Sequence, residues 1–86
     1  GIIENMSYLL NGINTPISIF GSGGGQALAT ELHTTLLGQI PIDPRICTGG
    51  DNGAPISLTH PETKVSLVFQ QMAGAIANTF QTPKFL

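Results

Sequence analysis

The sequence predicts an α/β fold built on a parallel β-sheet. Residues 1–5 and 35–40 are two short apolar segments with the composition of buried strands. A helical segment lies between them, and residues 65–80 carry apolar side chains at the 3.6-residue spacing of an amphipathic helix. Strands and helices that alternate in this order are typical of βαβ units, whose strands run parallel.

The first strand is predicted over residues 1–5. It contains the β-branched pair Ile2-Ile3, and the polar pair Glu4-Asn5 follows at the point where a strand would end. Residues 9–16 are predicted to be a loop because they contain two turn-forming sequences. Residues 17–20 are predicted to be a short extended piece.

A glycine-rich segment, FGSGGGQALATEL at residues 20–32, leads into the first predicted helix. Ser22 is its predicted N-cap, and Leu28 and Leu32 form its predicted apolar face. Glycines ahead of a helix can cradle a phosphate with their N–H groups, but the Walker form of that motif adds a lysine, which is absent here. A structural turn and an anion site both stay open, and the missing lysine favours the turn.

The chain after residue 34 is predicted to contain one strand and two helices. Pro41 stops the strand at 35–40, and a short helix is predicted from Pro44 to about Thr48, because proline suits a first helical turn. The sequence Thr59-His60-Pro61-Glu62 has the spacing of a capping box and predicts the start of the last helix. The face of that helix expected to pack on the sheet consists of Val65, Val68, Phe69, Met72, Ile76 and Phe80.

Composition argues against several classes of function. The 86 residues carry a formal net charge of −2, and their basic residues, Arg45, Lys64 and Lys84, are scattered, which argues against nucleic-acid binding. Cys47 is the only cysteine, so one chain forms neither an internal disulfide nor a multi-thiolate metal site, and a reducing, cytoplasmic location fits best. The apolar runs are too short to span a bilayer, so no membrane association is expected.

Residues 1–86 are expected to form a single, partial domain. Charged residues make up 9% of the chain, against about 25% in ordinary soluble domains, which indicates that other protein covers some of its faces. A parallel sheet is buried on both faces, and two strands cannot build one alone. The remaining strands are expected to come from residues outside this chain or from another copy of it.

Four segments carry a family resemblance. GIIENMSY, IFGSGGGQALATEL, LLGQIPIDPRI and GGDNGAPI occur in the order and spacing of the C-terminal part of Mrp-type ATPases. The chain resembles this group, the Mrp and Nbp proteins of the deviant-Walker P-loop class, which are related to MinD and ParA. The resemblance implies that the chain is the C-terminal βαβα portion of a doubly wound parallel-sheet P-loop NTPase fold, a fragment lacking the Walker A half.

The resemblance also implies a nucleotide site. Asn5 matches the asparagine that hydrogen-bonds the adenine of ATP, and Pro41, Ile42 and Asp43 match the loop that closes over the base. An amide offers both a donor and an acceptor, and ligands bind at the carboxyl ends of strands in open α/β sheets, which is compatible with this assignment. The family residues that hold the phosphates and Mg²⁺ lie upstream and are absent here, so this chain is not expected to hydrolyse ATP alone.

One departure from the family concerns the iron–sulfur cluster that these ATPases carry. Many members have a Cys-x-x-Cys pair after the NMSY motif, whereas residues 9–13 read LLNGI here, and Cys47 does not replace the pair. Cluster binding by this chain is therefore not expected. No catalytic residue or metal ligand is predicted either, since His33 and His60 each lack a second ligand nearby and are expected to be cap or surface residues.

The resemblance implies three kinds of partner. These are a second copy in a homo-oligomer, the rest of the chain's own ATPase domain, and iron–sulfur client proteins. An alternative of a different class is a stand-alone oligomeric or domain-swapped interaction module that binds no nucleotide.

Overall fold

The structure is a computed structural model that describes residues 1–10 and 16–80. The structure contains both helices and strands, with a helix between two parallel strands, so the predicted α/β class is confirmed. The elements in order are β1 (Ile2–Glu4), β2 (Leu9–Leu10), β3 (Pro16–Ile17), α1 (Gly24–Glu31), β4 (Leu36–Gln39), α2 (Pro44–Asn52), α3 (Ile56–Thr59) and α4 (Lys64–Phe80).

A small parallel sheet holds the centre of the fold. β1 pairs with β4 in parallel, as the βαβ order predicts, and α1 makes the connection between them and packs on both. The Ile40 N–H donates to the Glu4 carbonyl at 2.8 Å, and the Ile42 N–H donates to the Tyr8 carbonyl at 2.7 Å. Backbone pairing thus continues beyond the carboxyl ends of both strands and fixes the segments that follow them side by side.

The hairpin of β2 and β3 differs from the predicted loop. Leu9 and Leu10 pair antiparallel with Ile17 and Pro16, so both ends of the segment 9–16 are strand. Residues 11–15, with the turn-forming sequences and part of the LLNGI departure, lie outside the described residues. Of the predicted extended piece at 17–20, only Ile17 belongs to a strand, and the chain then turns.

The start and the apolar face of α1 also differ from prediction. The residue before the helix is Gly23, at φ +85°, and no side chain caps it, so the predicted Ser22 N-cap is wrong. Leu28 and Leu32 are 43% and 57% exposed, whereas Ala29 is fully buried. The small side chain lets the helix backbone approach the sheet, so the buried face of α1 is set by Ala29 and not by the leucines.

The helices after β4 differ from prediction in their bounds, although α2 begins at Pro44 as predicted. α2 runs on to Asn52, well beyond Thr48, and ends where Gly53 adopts φ +69°. The stretch predicted as a capping box ends α3 instead, and Thr63 starts α4 by accepting a hydrogen bond from the Ser66 N–H at 3.3 Å. Thr59 belongs to a helix of its own, which is why Thr59-His60-Pro61-Glu62 cannot cap α4.

The core is small and lies where α4 and α1 meet the sheet. On the predicted face of α4, Val65 and Met72 are buried, but Phe80 is 76% exposed, so its far end extends past the sheet. Among the described residues the sheet has only these two strands, and the outer edge of each is unpaired. Within residues 1–10 and 16–80, no helix combines the length and the apolar composition needed to cross a bilayer.

Candidate functional site

All four residues predicted to bind nucleotide follow the carboxyl end of a strand. Asn5 comes directly after β1, and Pro41, Ile42 and Asp43 come shortly after β4. The two strands are parallel neighbours, so these segments lie at the same edge of the sheet, which is where ligands bind in open α/β folds.

The turn at Asn5 presents an exposed amide. The Asn5 side chain is solvent-exposed, and its Oδ1 accepts a hydrogen bond from the Met6 N–H at 2.9 Å. Met6 has φ +52°, a left-handed conformation that costs a non-glycine residue about 1 kcal/mol or more. A strained turn of this kind persists only where the surrounding structure holds it.

The group that holds this turn is Glu4, a residue to which sequence reasoning gave no role. One carboxylate oxygen, Oε2, accepts a hydrogen bond from the Gly25 N–H at 2.6 Å. The other, Oε1, accepts from the Ser7 hydroxyl and, at 3.4 Å, from Gln39 Nε2. The hydrogen bonds from Ser7 and from the Gly25 backbone hold the pKa of the Glu4 carboxyl below its usual value.

One glycine at the start of α1, Gly25, makes this contact possible. Gly25 lies in the first turn of the helix, where backbone N–H groups lack partners within the helix and attract a negative charge. A Cβ at Gly25 would lie 2.5 Å from Glu4 Oε2 and 3.1 Å from the Glu4 Cβ, so glycine permits the close approach. The anion at this helix N-terminus is the chain's own carboxylate, which agrees with the structural reading of the glycine-rich segment.

An open cleft of about 410 Å³ lies between the Asn5 turn and the glycine-rich segment. We call it the Asn5 cleft. It contains hydrogen-bonding groups, an exposed aromatic ring and the negative charge of Glu4, and none of the described residues that line it is basic. It is lined by Glu4, Asn5, Met6, Ser7, Phe20, Gly21, Ser22, Gly24 and Gly25.

In the loop after β4, the side chains of Pro41 and Asp43 are engaged in the local structure, unlike that of Asn5. The ring of Pro41 is less than 2% exposed. Asp43 is the N-cap of α2, where its Oδ1 accepts from the Arg45 N–H at 2.9 Å, and its Oδ2 lies 2.6 Å from Arg45 Nη2. These hydrogen bonds from Arg45 lower the pKa of the Asp43 carboxyl. The carboxylate therefore performs a structural task at the start of α2.

A second cleft of about 430 Å³, which we call the Asp43 cleft, lies beside this loop. Its lining includes Pro41, Ile42 and Asp43 but not Asn5. The structure thus brings the four predicted residues to one edge of the sheet but divides them between two clefts. Arg45 and Lys64 line the Asp43 cleft, and Lys64 also lines a further cleft that shares Glu4, Ser7 and Ser22 with the Asn5 cleft.

Residues able to hold a metal ion are not gathered in the part of the chain that the structure describes. No cluster of three or more His, Cys, Asp or Glu side chains occurs there. Cys47 is exposed on α2, and its Sγ lies 3.7 Å from Asp51 Oδ2. His33 and His60 both follow helix ends, which matches their predicted role as cap or surface residues.

A protein-family model matches most of the chain. The family model described as ParA, NUBPL iron-transfer P-loop NTPase, matches residues 1–77. This range contains every helix and strand of the described structure except the last turn of α4.

Curated relatives carry the name iron–sulfur cluster carrier protein. The one from Saccharolobus solfataricus is 38% identical over 77 residues, which cover 88% of this chain and 26% of the relative. Those from Escherichia coli K12 and Mycobacterium tuberculosis H37Rv are 36% and 35% identical, and each alignment covers 90% of this chain. The chain spans 21% and 22% of the lengths of these last two, so the similarity concerns a minor part of each relative.

Proposed function

Because the chain belongs to the family of NUBPL-type iron-transfer P-loop NTPases, we propose that it forms the adenine-binding side of an ATPase that carries iron–sulfur clusters. The single observation that carries this proposal is the exposed Asn5 amide at the carboxyl end of β1, next to an open cleft. The relatives' name supports the cargo, since they are called iron–sulfur cluster carrier proteins.

The role of Asn5 follows from how its amide is used. Oδ1 is engaged by the Met6 N–H, and among the described residues no group accepts a hydrogen bond from Nδ2. The NH₂ group is the half of the amide left to donate to an acceptor nitrogen of a purine. The internal bond at Oδ1 fixes the side chain beforehand, which lowers the entropy cost of binding.

The loop of Pro41, Ile42 and Asp43 contributes through its backbone. Burial of the Pro41 ring and capping by the Asp43 carboxylate hold the loop in place, and the main chain of Ile42 and Asp43 then offers donors and acceptors to the edge of the base. Pro41 acts in this proposal by fixing the loop, since its buried ring has no free face on which a base could stack.

The Asn5 cleft suits a base and not a triphosphate. Its volume lies within the usual range for small-molecule sites, roughly 300–1,000 Å³, and it combines the Asn5 amide with the Phe20 ring. The Glu4 carboxylate disfavours phosphate there, as does the lack of a basic side chain among the lining residues of 1–10 and 16–80. We therefore assign the phosphates and Mg²⁺ to residues of the ATPase outside this sequence, so that these 86 residues do not hydrolyse ATP alone.

The iron–sulfur cluster is cargo for the complete carrier and not a ligand of this chain. One exposed cysteine cannot supply the several thiolates that a cluster needs. The thiolates would come from other parts of the ATPase, from a second copy or from client proteins. We place this activity in the cytoplasm, where a single free cysteine stays reduced.

Titration calorimetry with ATP tests the nucleotide site on the protein at its native length. Asn5→Ala should weaken ATP binding about tenfold, the cost of roughly one hydrogen bond to a ligand. Asn5→Asp keeps an acceptor for the Met6 N–H but loses the donor, and should weaken binding at least as much. Asn78→Ala, at an exposed position of α4, is the control and should bind like the wild type.

Unchanged ATP affinity in both Asn5 variants would remove Asn5 from the site. A protein that binds no nucleotide at all would refute the wider proposal.

The alternative function, an oligomeric or domain-swapped module without nucleotide, is favoured by one observation. Large apolar side chains are exposed on β1 and α1, and both strands of the sheet have an unpaired edge among the described residues. Light scattering after size-exclusion chromatography of the 86-residue chain separates the two. A stable oligomer that is unaffected by ATP would favour the alternative, and a well-folded monomer would exclude it.

A further inference from the structure

Glu4 is bonded to three separate parts of the site. It is the last residue of β1, and its carboxylate accepts hydrogen bonds from Ser7 beyond the Asn5 turn, from Gly25 at the start of α1, and from Gln39 at the end of β4. Gly25 is 21 residues away along the chain and Gln39 is 35 residues away, so these are tertiary contacts.

We propose that Glu4 is a positioning residue for the nucleotide site, which couples the turn that carries Asn5 to the first turn of α1. The inference rests on the proposed function, because it concerns how the Asn5 amide is held for its ligand. Glu4 itself has no donor to offer, and both of its oxygens are engaged within the protein, so its effect on a ligand is indirect.

The first half of the connection is the closed turn between Glu4 and Ser7. The Ser7 hydroxyl donates to the Glu4 carboxylate, and the backbones of the same two residues are hydrogen-bonded to the backbone of Ile40, directly after β4. Asn5 and Met6 are enclosed between these fixed points, which explains how Met6 keeps a positive φ. A ligand that holds the Asn5 side chain, which is bonded to the Met6 N–H, would therefore act on Glu4 and Ser7 through the backbone of this turn.

The second half of the connection is the bond to α1. Glu4 Oε2 and the Gly25 N–H are 2.6 Å apart, a charge-assisted hydrogen bond at a helix N-terminus, and neither residue is fully exposed. α1 is a helix of eight residues with no side-chain cap of its own. Glu4 is thus the group that holds its first turn, and loss of the carboxylate would free that turn to fray.

Coupling of this kind is reciprocal. If a ligand at Asn5 holds the turn more firmly, then it also holds Glu4 and the N–H groups at the start of α1, and loosening α1 lowers the affinity for the ligand. A residue that serves only stability would change the fraction of folded protein and leave this response of α1 to the ligand intact.

The test is hydrogen–deuterium exchange, read by mass spectrometry on peptides that cover residues 22–30, with the protein at its native length. In the wild type, ATP should slow exchange at the start of α1. In Glu4→Gln, exchange there should be faster without ATP, ATP should no longer slow it, and the dissociation constant for ATP should rise about tenfold. Ser7→Ala keeps the bond to Gly25 and should give a smaller loss of the same response, which covers the case that Glu4→Gln folds poorly.

Glu31→Gln is the matched control, because it removes an exposed carboxylate from the other end of the same helix. It should leave both the exchange response and ATP affinity as in the wild type. If Glu4→Gln and Ser7→Ala both keep the ATP-induced slowing while Asn5→Ala loses ATP binding, then the coupling is refuted and the nucleotide site stands. If Asn5→Ala binds ATP normally and Glu4→Gln still speeds exchange at α1, the proposed site fails, and Glu4 is left with a structural role only.

Discussion

The carboxyl ends of β1 and β4 differ in whether the side chains that follow them are free to contact a ligand. After β1, the Asn5 side chain is exposed, and the residue before it, Glu4, holds the turn and accepts a hydrogen bond from Gly25, which the fold brings close. After β4, the ring of Pro41 is buried and the carboxylate of Asp43 caps α2. Position at the carboxyl end of a strand therefore does not make a side chain a ligand contact. The side chain must also be unused by the local structure.

The two helix starts beside these strand ends show the same contrast. At the N-terminus of α2, the negative charge comes from a residue next to the helix. The Asp43 carboxylate accepts a hydrogen bond from the N–H of Arg45, two residues later. α1 begins after a glycine that cannot cap it and receives its charge from Glu4 in the sheet. The local cap leaves α2 independent of the Asn5 turn, whereas the distant carboxylate ties α1 to it.

The largest effect in this comparison is expected for Gly25→Ala. The added Cβ would lie 2.5 Å from Glu4 Oε2 and 3.1 Å from Leu36 Cδ1, so the bond to Glu4 must lengthen or break. We expect the free energy of unfolding to fall by about 3 kcal/mol, from overpacking and a lost charge-assisted hydrogen bond. Urea denaturation measures this.

Gly24→Ala is the matched control for that variant. A Cβ at Gly24 meets nothing within 4 Å, so the substitution should leave the free energy of unfolding unchanged or raise it slightly. Equal losses for Gly24→Ala and Gly25→Ala would show that helix propensity, and not the approach of Glu4, makes glycine necessary.

Asp43→Ala should have an intermediate effect. Loss of the N-cap and of the bonds to Arg45 should lower the free energy of unfolding by about 1 kcal/mol. Because the buried Pro41 ring still holds the loop, the ATP affinity of the folded protein should change less than about twofold. Asp51→Ala, near the C-terminal end of α2, should have no effect or stabilise slightly, because a negative charge there opposes the helix dipole. A tenfold loss of ATP affinity in Asp43→Ala would place its carboxylate in the site.

Acid should lower the free energy of unfolding, because the Glu4 and Asp43 carboxylates stabilise the folded protein in their charged form. The pKa values of Glu4 and Asp43 are lowered in the folded protein, so the unfolded chain takes up protons at these groups first as the pH falls. Their contribution is complete above the ordinary Glu pKa of 4.5 and is lost as the pH drops through the folded values. Denaturation midpoints between pH 3 and 6 should fall less steeply in Glu4→Gln than in Glu31→Gln. Parallel curves would contradict this origin of the pH dependence.

The smallest effect is expected at Ser22. Its side chain does not cap α1, so Ser22→Ala should change the free energy of unfolding by less than about 0.5 kcal/mol. Thr63→Ala removes a side chain that does cap a helix and should cost about 1 kcal/mol. Thermal melts of the two variants measure both effects, and a larger loss for Ser22→Ala than for Thr63→Ala would contradict the start of α1 after Gly23.

Local patterns in the sequence predicted the parallel βαβ unit, because strand composition and helical periodicity are properties of contiguous residues. The link between Glu4 and Gly25 could not be predicted in this way, because it joins residues far apart in sequence. Ser22 was an acceptable N-cap by type, but the left-handed backbone of Gly23 places the helix start one residue later. The carboxylate of Asp43 lies before a proline, and this Asp-Pro pair did carry a local signal for the α2 N-cap.

The most direct test of the central claim is a crystal structure of the protein at its native length with a non-hydrolysable ATP analogue. The account predicts Asn5 Nδ2 at about 3 Å from a ring nitrogen of the adenine, with the Glu4 bond to Gly25 intact and the Asp43 carboxylate still on Arg45. An adenine bound away from Asn5, or one held by the Asp43 carboxylate, would contradict it.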